Sequence, residues 1–527
     1  MPAYQNRYWQ SNHLFTLIIF NAKIAGHKLA YRKAICSKQI MEFIKNYFNK
    51  NKKIIVPFIF LILLAIALRL VTFFSTSLLD NDEGYYLVMG ENILKGSLPY
   101  REIWDNKGPL LYFLFAFIIK LSGHSLIVLR FFTIASIVSI SFFIYLIGKK
   151  IYNSNLGLIA ALFFILIVCS PALQALSSNS ELFFLLPVIS AIYLILFKEK
   201  NKQNLILAGI LFGLSFNMKT IVIFDFIAAS VFIAILSKQN KLFYNFKNFL
   251  FFLIGFIIPS LFFAFYFWRN DLLSSYLYII LNQNIRWATA NFTSQFSLFE
   301  FIAICSLSIY PIALLAFSGI AYFAIRPNTF VRNRAEYFYF FVLWIFLIFF
   351  GIFLIKKLYP HHFLQAASAI SVIGGFFSIK IYHWISNRNK RLFYSVFIGL
   401  FLLSLVLVNI FFQFRLLKNG DINKKISNEI SLQPGEYIYS QLPMVYFLTK
   451  SKIPTKYAFP SFLTYSKYQK TFEREINISD ETQKILDKKP AYFILGNIIV
   501  PKQIDEYTKN YCKLYKKIED IKIFNCR

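Results

Sequence analysis

The stretch Leu110-Leu111-Tyr112-Phe113-Leu114-Phe115-Ala116-Phe117-Ile118-Ile119-Lys120-Leu121 decides the topology of this chain. It is apolar almost throughout, yet a bilayer core needs about 20 such residues to be crossed by a helix. We read it as a helix that lies at one membrane interface, or dips in and returns. Counted as a span, it would move every later loop to the other side.

The surrounding chain needs that parity. With 57% hydrophobic, 19% aromatic and 15% charged residues and a mean hydropathy of +0.55, the 527-residue chain is too apolar for a soluble protein. Lysines before Ile54 place the N-terminus in the cytoplasm. Apolar runs then go out at 54–74, in at 125–147, out at 157–173, in at 182–197, out at 205–218 and in at 220–236. They continue out at 249–267, in at 298–325, out at 337–355, in at 363–379 and out at 392–412. Each loop assigned to the cytoplasm is basic, and the formal charge of +31 concentrates in such short loops. That pattern is the positive-inside rule and argues against nucleic acid as a partner.

The expected fold is an all-α polytopic membrane protein of about eleven transmembrane helices. Residues 1–53 form a cytoplasmic extension, of which 1–40 read as dispensable. Residues 54–412 form the membrane domain, with a first outer loop at 75–124. After about 413 hydropathy falls and β-like runs (437–439, 492–495, 522–524) alternate with helical candidates (443–450, 480–488, 502–512). A small outer α/β domain follows at 413–527. Cys512 and Cys526 would pair if that domain faces an oxidising compartment, which spacing alone does not show.

Charge at the membrane surface marks the candidate site. Asp80-Asn81-Asp82-Glu83-Gly84-Tyr85-Tyr86 follows the first span, and Tyr100, Trp104 and Lys107 share its loop. An ionisable cluster at that depth is a functional hypothesis by default. Asp82 and Glu83 are candidate bases, a carboxylate shielded from water being able to take a hydroxyl proton. Tyr86, Tyr100 and Trp104 offer stacking surfaces. Glu181 is either a helix N-terminal acid favoured by the dipole or a partner of the first-loop acids, through a hydrogen bond or a metal. The outer loop carrying Lys357, Tyr359, His361 and His362, with Arg286 and Lys219 as further cations, suits a lipid phosphate. A zinc site reads less well, because adjacent histidines without further ligands are a poor template.

These residues resemble those of the GT-C membrane glycosyltransferases, in the group of protein O-mannosyltransferases and the lipid A aminoarabinose transferase (family 39-like). The elements are Asp82-Glu83 with Tyr86, Gly96-Ser97-Leu98-Pro99-Tyr100, Trp104-Asp105-Asn106-Lys107-Gly108-Pro109-Leu110, Asn179-Ser180-Glu181 and Tyr359-Pro360-His361-His362-Phe363-Leu364-Gln365. The resemblance implies an N-in, C-out fold and an inverting transfer from a polyprenyl-phosphate sugar to a hydroxyl-bearing acceptor among membrane lipids, glycans or proteins. It makes Asp82 the catalytic acid, Lys107 a donor-phosphate contact and Glu181 the second-loop acid, with a divalent metal at Asp82 and Glu181 as an open cofactor question. Gly108 stands where the pattern usually has a proline, Glu181 where it has aspartate, and His362 where an aromatic is common. A flippase for a lipid-linked anion, or a polymerase or ligase using a pyrophosphate-linked donor, are the alternatives. The implied location is a bacterial-type inner membrane.

Overall fold

The computed structural model describes residues 55–78, 81–199, 201–236, 242–283, 285–286, 297–330, 335–355, 358–385, 387–459, 461–464, 477–496 and 498–527. The expectations for residues 1–53, and for Lys357, lie outside them. Residues Leu61–Arg527 form one compact unit and Met1–Phe60 another.

The architecture is mostly helical with one small sheet. Helices long and apolar enough to cross a membrane are Leu126–Ile151, Asn245–Trp268, Ala335–Leu354, Pro360–Trp384 and Arg388–Glu429. Shorter apolar helices occupy Ile55–Leu68, Ser154–Val168, Glu181–Phe197, Lys202–Phe216 and Thr220–Ile235. These helices cover the expected runs and make the chain membrane-embedded; several are shorter than the spans read from sequence. The expected single span at 298–325 is instead a broken pair, Leu298–Cys305 and Tyr310–Ile325, bent by 100°. Pro311 stands in the first turn of the second helix, where proline is tolerated best.

The deciding stretch forms a 14-residue helix, Pro109–Ser122. At 1.5 Å per residue it is about 21 Å long, short of a bilayer core of about 30 Å. Pro109 opens it, and Gly123 ends it in the left-handed conformation (φ 56°), which glycine adopts without a Cβ penalty. It packs on the helix Asp82–Leu94, whose first turn holds Asp82 and Glu83, where the helix dipole favours negative charge.

The C-terminal segment builds a four-stranded sheet of β1 (Ile438–Ser440), β2 (Tyr492–Leu495), β3 (Lys513–Ile518) and β4 (Ile521–Asn525). The order is β1-β2-β4-β3, with β1 and β2 parallel and the other pairs antiparallel. Cys512 and Cys526 form a disulfide across the β3–β4 hairpin. The helix Pro443–Thr449 lies on the 82–94 helix so closely that a Cβ at Gly84 would stand 2.7 Å from the Met444 nitrogen. Only glycine allows this approach.

Candidate active site

The first turn of the helix Asp82–Leu94 places two adjacent carboxylates in opposite environments. Glu83 is 1% exposed and holds Arg130 through both oxygens, with Oε1 at 2.6 Å from one guanidinium nitrogen. Ser178 N–H donates to Glu83 Oε2 at 2.7 Å, and Arg130 Nε donates to the Thr72 carbonyl at 2.8 Å. Arg69 donates to the carbonyls of Ala175 and Leu176 beside it. Glu83, expected as a candidate base with Asp82, is instead the anion of a closed structural cluster. Burial pushes its carboxyl up, but Arg130 more than offsets this and holds it below the ordinary range.

Asp82 is open by contrast. Its Oδ2 accepts from the Tyr86 hydroxyl at 2.7 Å and lies 3.2 Å from Lys107 Nζ. Burial raises its carboxyl, while Lys107, His361 and the Tyr86 hydrogen bond outweigh burial and hold it well below the usual carboxylate range. Lys107 Nζ also stands 3.7 Å from Asp105 Oδ2 and 5.0 Å from the Tyr86 ring centroid. Asp105 is buried, accepts from the Tyr112 hydroxyl and the Asn106 N–H, and is raised by burial despite Lys107.

Gly108 explains one departure from the sequence pattern. A Cβ there would sit 2.1 Å from the Asn217 carbonyl, and its N–H donates to the Met218 carbonyl. Proline has neither the N–H nor the slim backbone this contact needs. The contact seats Lys107 beside the turn that carries Lys219.

Lys219 Nζ pairs with Glu181 Oε1 at 2.5 Å, and Ser180 Oγ donates to Glu181 Oε2 at 3.0 Å. His361 and His362 lie on the 3-10 turn Pro360–Ala366. Their rings are 4.7 Å apart, and Tyr359 stacks on His361 at 5.7 Å. His361 Nδ1 is 3.0 Å from Gln174 Oε1. Ligand atoms of Glu181, His361 and His362 all lie within 4.8 Å of one another, the one such group of three among the described residues. His362 Nδ1 is buried without a hydrogen-bond partner. Two imidazoles and a carboxylate suit zinc or a similar ion. Glu181 thus stands where a third donor atom would be needed beside the histidine pair; Asp82 is not in that group.

Tyr86, Tyr100 and Trp104, expected as stacking surfaces, are 0%, 5% and 4% exposed. Tyr86 orients Asp82. Tyr100 donates to the Lys107 carbonyl at 2.8 Å and packs on Phe267. Trp104 meets Tyr457 and Phe462 edge-on, and its backbone N–H donates to the Lys456 carbonyl at 3.0 Å. As placed, the three build the wall. Arg286 lies over the Tyr278 ring at 5.5 Å and donates to its hydroxyl at 3.3 Å.

The sequence reading missed Arg130, Gln174, Asp225 and Trp344. For Arg130 and Asp225 a signal existed, since each is an ionisable residue inside an apolar run. For Gln174 and Trp344 no local pattern marks them.

Residues 106–268 match the family described as dolichyl-phosphate-mannose-protein mannosyltransferase. No curated protein sequence matches the chain. The crystal structure of ArnT from Cupriavidus metallidurans bound to undecaprenyl phosphate superposes with a TM-score of 0.60 at 13% identity, over 90% of this chain and 98% of that one. Its apo state gives 0.58 at 12% identity, over 89% and 97%. At such identities the likeness concerns the fold. The chain therefore shares the fold of ArnT, and its residues 106–268 match the mannosyltransferase family.

Proposed function

We propose that this protein transfers a sugar from a polyprenyl-phosphate donor to an acceptor hydroxyl at the outer face of the membrane, with inversion. One observation carries the reading: two carboxylates, two lysines and an imidazole, Asp82, Glu181, Lys107, Lys219 and His361, converge from separate segments on one cluster. The undecaprenyl phosphate bound to ArnT in the same fold supports a lipid-phosphate donor.

In this reading the acceptor oxygen bonds to the anomeric carbon as the carbon–oxygen bond to phosphate breaks. The hydroxyl proton passes to Asp82, and the electron pair leaves with the phosphate. Lys107 and Lys219, with Tyr359 and the histidine turn, stabilise the charge that develops there. Lys107 now depresses Asp82; once it turns to the donor phosphate, Asp82 becomes the stronger base. Glu181, His361 and His362 are the residues that would hold a divalent metal, and such an ion would add positive charge against the leaving group. The Cys512–Cys526 disulfide supports an oxidising, outer location for the C-terminal segment, and with it an N-in, C-out inner-membrane topology.

The test is product mass. Purified protein is incubated with a panel of polyprenyl-phosphate sugars and a cell-envelope extract. An acceptor heavier by one sugar is the expected result. Movement of labelled lipid across vesicles without covalent transfer would favour a flippase, and turnover of pyrophosphate-linked donors alone would favour a polymerase or ligase.

A further inference from the structure

The apolar helix Ile223–Val231 carries Asp225, which is fully buried. Its Oδ1 accepts from Trp344 Nε1 at 2.6 Å, and its Oδ2 accepts from Gln365 Nε2 at 2.5 Å. Among the described residues its hydrogen bonds are to these two neutral donors. A buried carboxylate with no cation against it is expensive, and at membrane depth such a group marks function by default.

Its two partners point to the role. Gln365 is on the 360–366 turn, three residues beyond His362 and four beyond His361. Side chains three apart eclipse in a 3-10 helix, so a restraint on Gln365 restrains the His362 edge of the turn. Gln365 Nε2 also lies 3.5 Å from the Ile221 carbonyl, two residues after Lys219. Trp344 is fully buried on the helix Ala335–Leu354, where a Cβ at Gly351 would stand 2.4 Å from the Phe224 ring. Trp344 and that tight helix contact give Asp225 a fixed base.

We infer that Asp225 is a positioning residue: through Gln365 it locks the histidine turn in register with the Lys219 turn. The inference rests on the transferase reading, because the register matters where both turns face one phosphate. Losing a restraint that sets sub-ångström geometry costs rate more than binding.

The test compares Asp225→Asn, Asp225→Leu and Asp225→Leu/Gln365→Leu in detergent or nanodiscs, with transfer assayed on the donor found for the wild type. The Asn variant, which can pair with a flipped Gln365 amide, keeps kcat within about threefold. Asp225→Leu lowers kcat by about 10- to 100-fold, with KM for the donor within about threefold. The double Leu variant replaces a buried polar pair with apolar packing, so it unfolds no earlier than the wild type yet stays slow. A folded double variant with wild-type kcat overturns the inference, as does an Asn variant as slow as Leu. A wild type that transfers no sugar overturns the transferase reading instead.

Discussion

Asp82 and Glu83 are neighbours in sequence, and the difference between them separates structure from chemistry in this fold. Glu83 sits in a saturated cluster: both oxygens hold Arg130, Ser178 completes them, and the pair is 1% exposed on each side. Asp82 shares one lysine with Asp105, leans on a tyrosine and is 21% exposed. A buried pair with every donor and acceptor used has nothing left to offer a substrate. A lysine held between two carboxylates is a cation that an incoming phosphate can draw away. The same contrast recurs in the second loop, where Arg69 is spent on backbone carbonyls while Lys219 and Glu181 face two histidines.

Breaking the saturated cluster should give the largest effect. Arg130→Met leaves Glu83 buried without its cation and should cost about 3–5 kcal/mol of stability. Denaturant or thermal unfolding in detergent reads this, and the activity of the remaining folded protein should be near normal. Lys107→Met acts at the other cluster. It should lower kcat by about 10²–10³-fold with a smaller loss of stability than Arg130→Met, since it removes a charge that stabilises the leaving phosphate and loosens the partly exposed pairs with Asp82 and Asp105; Lys107→Arg should recover part of the loss. An equal fall in stability and rate would merge the two regions and remove the distinction.

Replacing Cys512 and Cys526 by serine should have a smaller and local effect. The bridge closes a sequence separation of 14, for which the chain-entropy estimate is about 3 kcal/mol. Hydrogen exchange should rise in β3 and β4, while transfer changes by less than about twofold. The smallest effect is in pH dependence. Asp82 is depressed in the folded protein, so its ion pair with Lys107 contributes stability fully above the unfolded value of about 3.9 and loses it as pH falls through the lower folded value. Between pH 7 and about pH 4, kcat/KM for transfer, which reports the free enzyme, should show no acid-side loss from this group. A rate that halves near pH 6 and is insensitive to Asp82→Asn would assign that loss elsewhere.

Much of the scaffold was legible in the sequence because its cause is local. Pro109 and Gly123 bound the helix that the Leu110–Leu121 stretch forms. In the C-terminal segment the helices and β1, β2 and β4 fall where periodicity puts them. Strand β3 escaped because Lys513, Lys516 and Lys517 leave it no apolar alternation; it is an exposed edge strand, which lysines protect from pairing. The bend between Leu298–Cys305 and Tyr310–Ile325 also escaped, since a window average runs straight through it. Within the site, residue types were readable but allegiances were not. Nothing local tells Asp82 from Glu83. The choice is made by Arg130, 47 residues away, and by Lys107 at the far end of the loop. The pairing of Glu181 with the histidine turn likewise exists only in three dimensions.

The most direct test sets the two neighbours side by side: the rate of sugar transfer per folded molecule in Asp82→Asn and in Glu83→Gln. The account predicts that Asp82→Asn unfolds only slightly earlier than the wild type, through loss of its partly exposed ion pair with Lys107, and transfers about 10²–10⁴-fold more slowly, while Glu83→Gln unfolds much earlier yet keeps a near wild-type rate in its folded fraction. A folded Asp82→Asn protein working at the wild-type rate would contradict it.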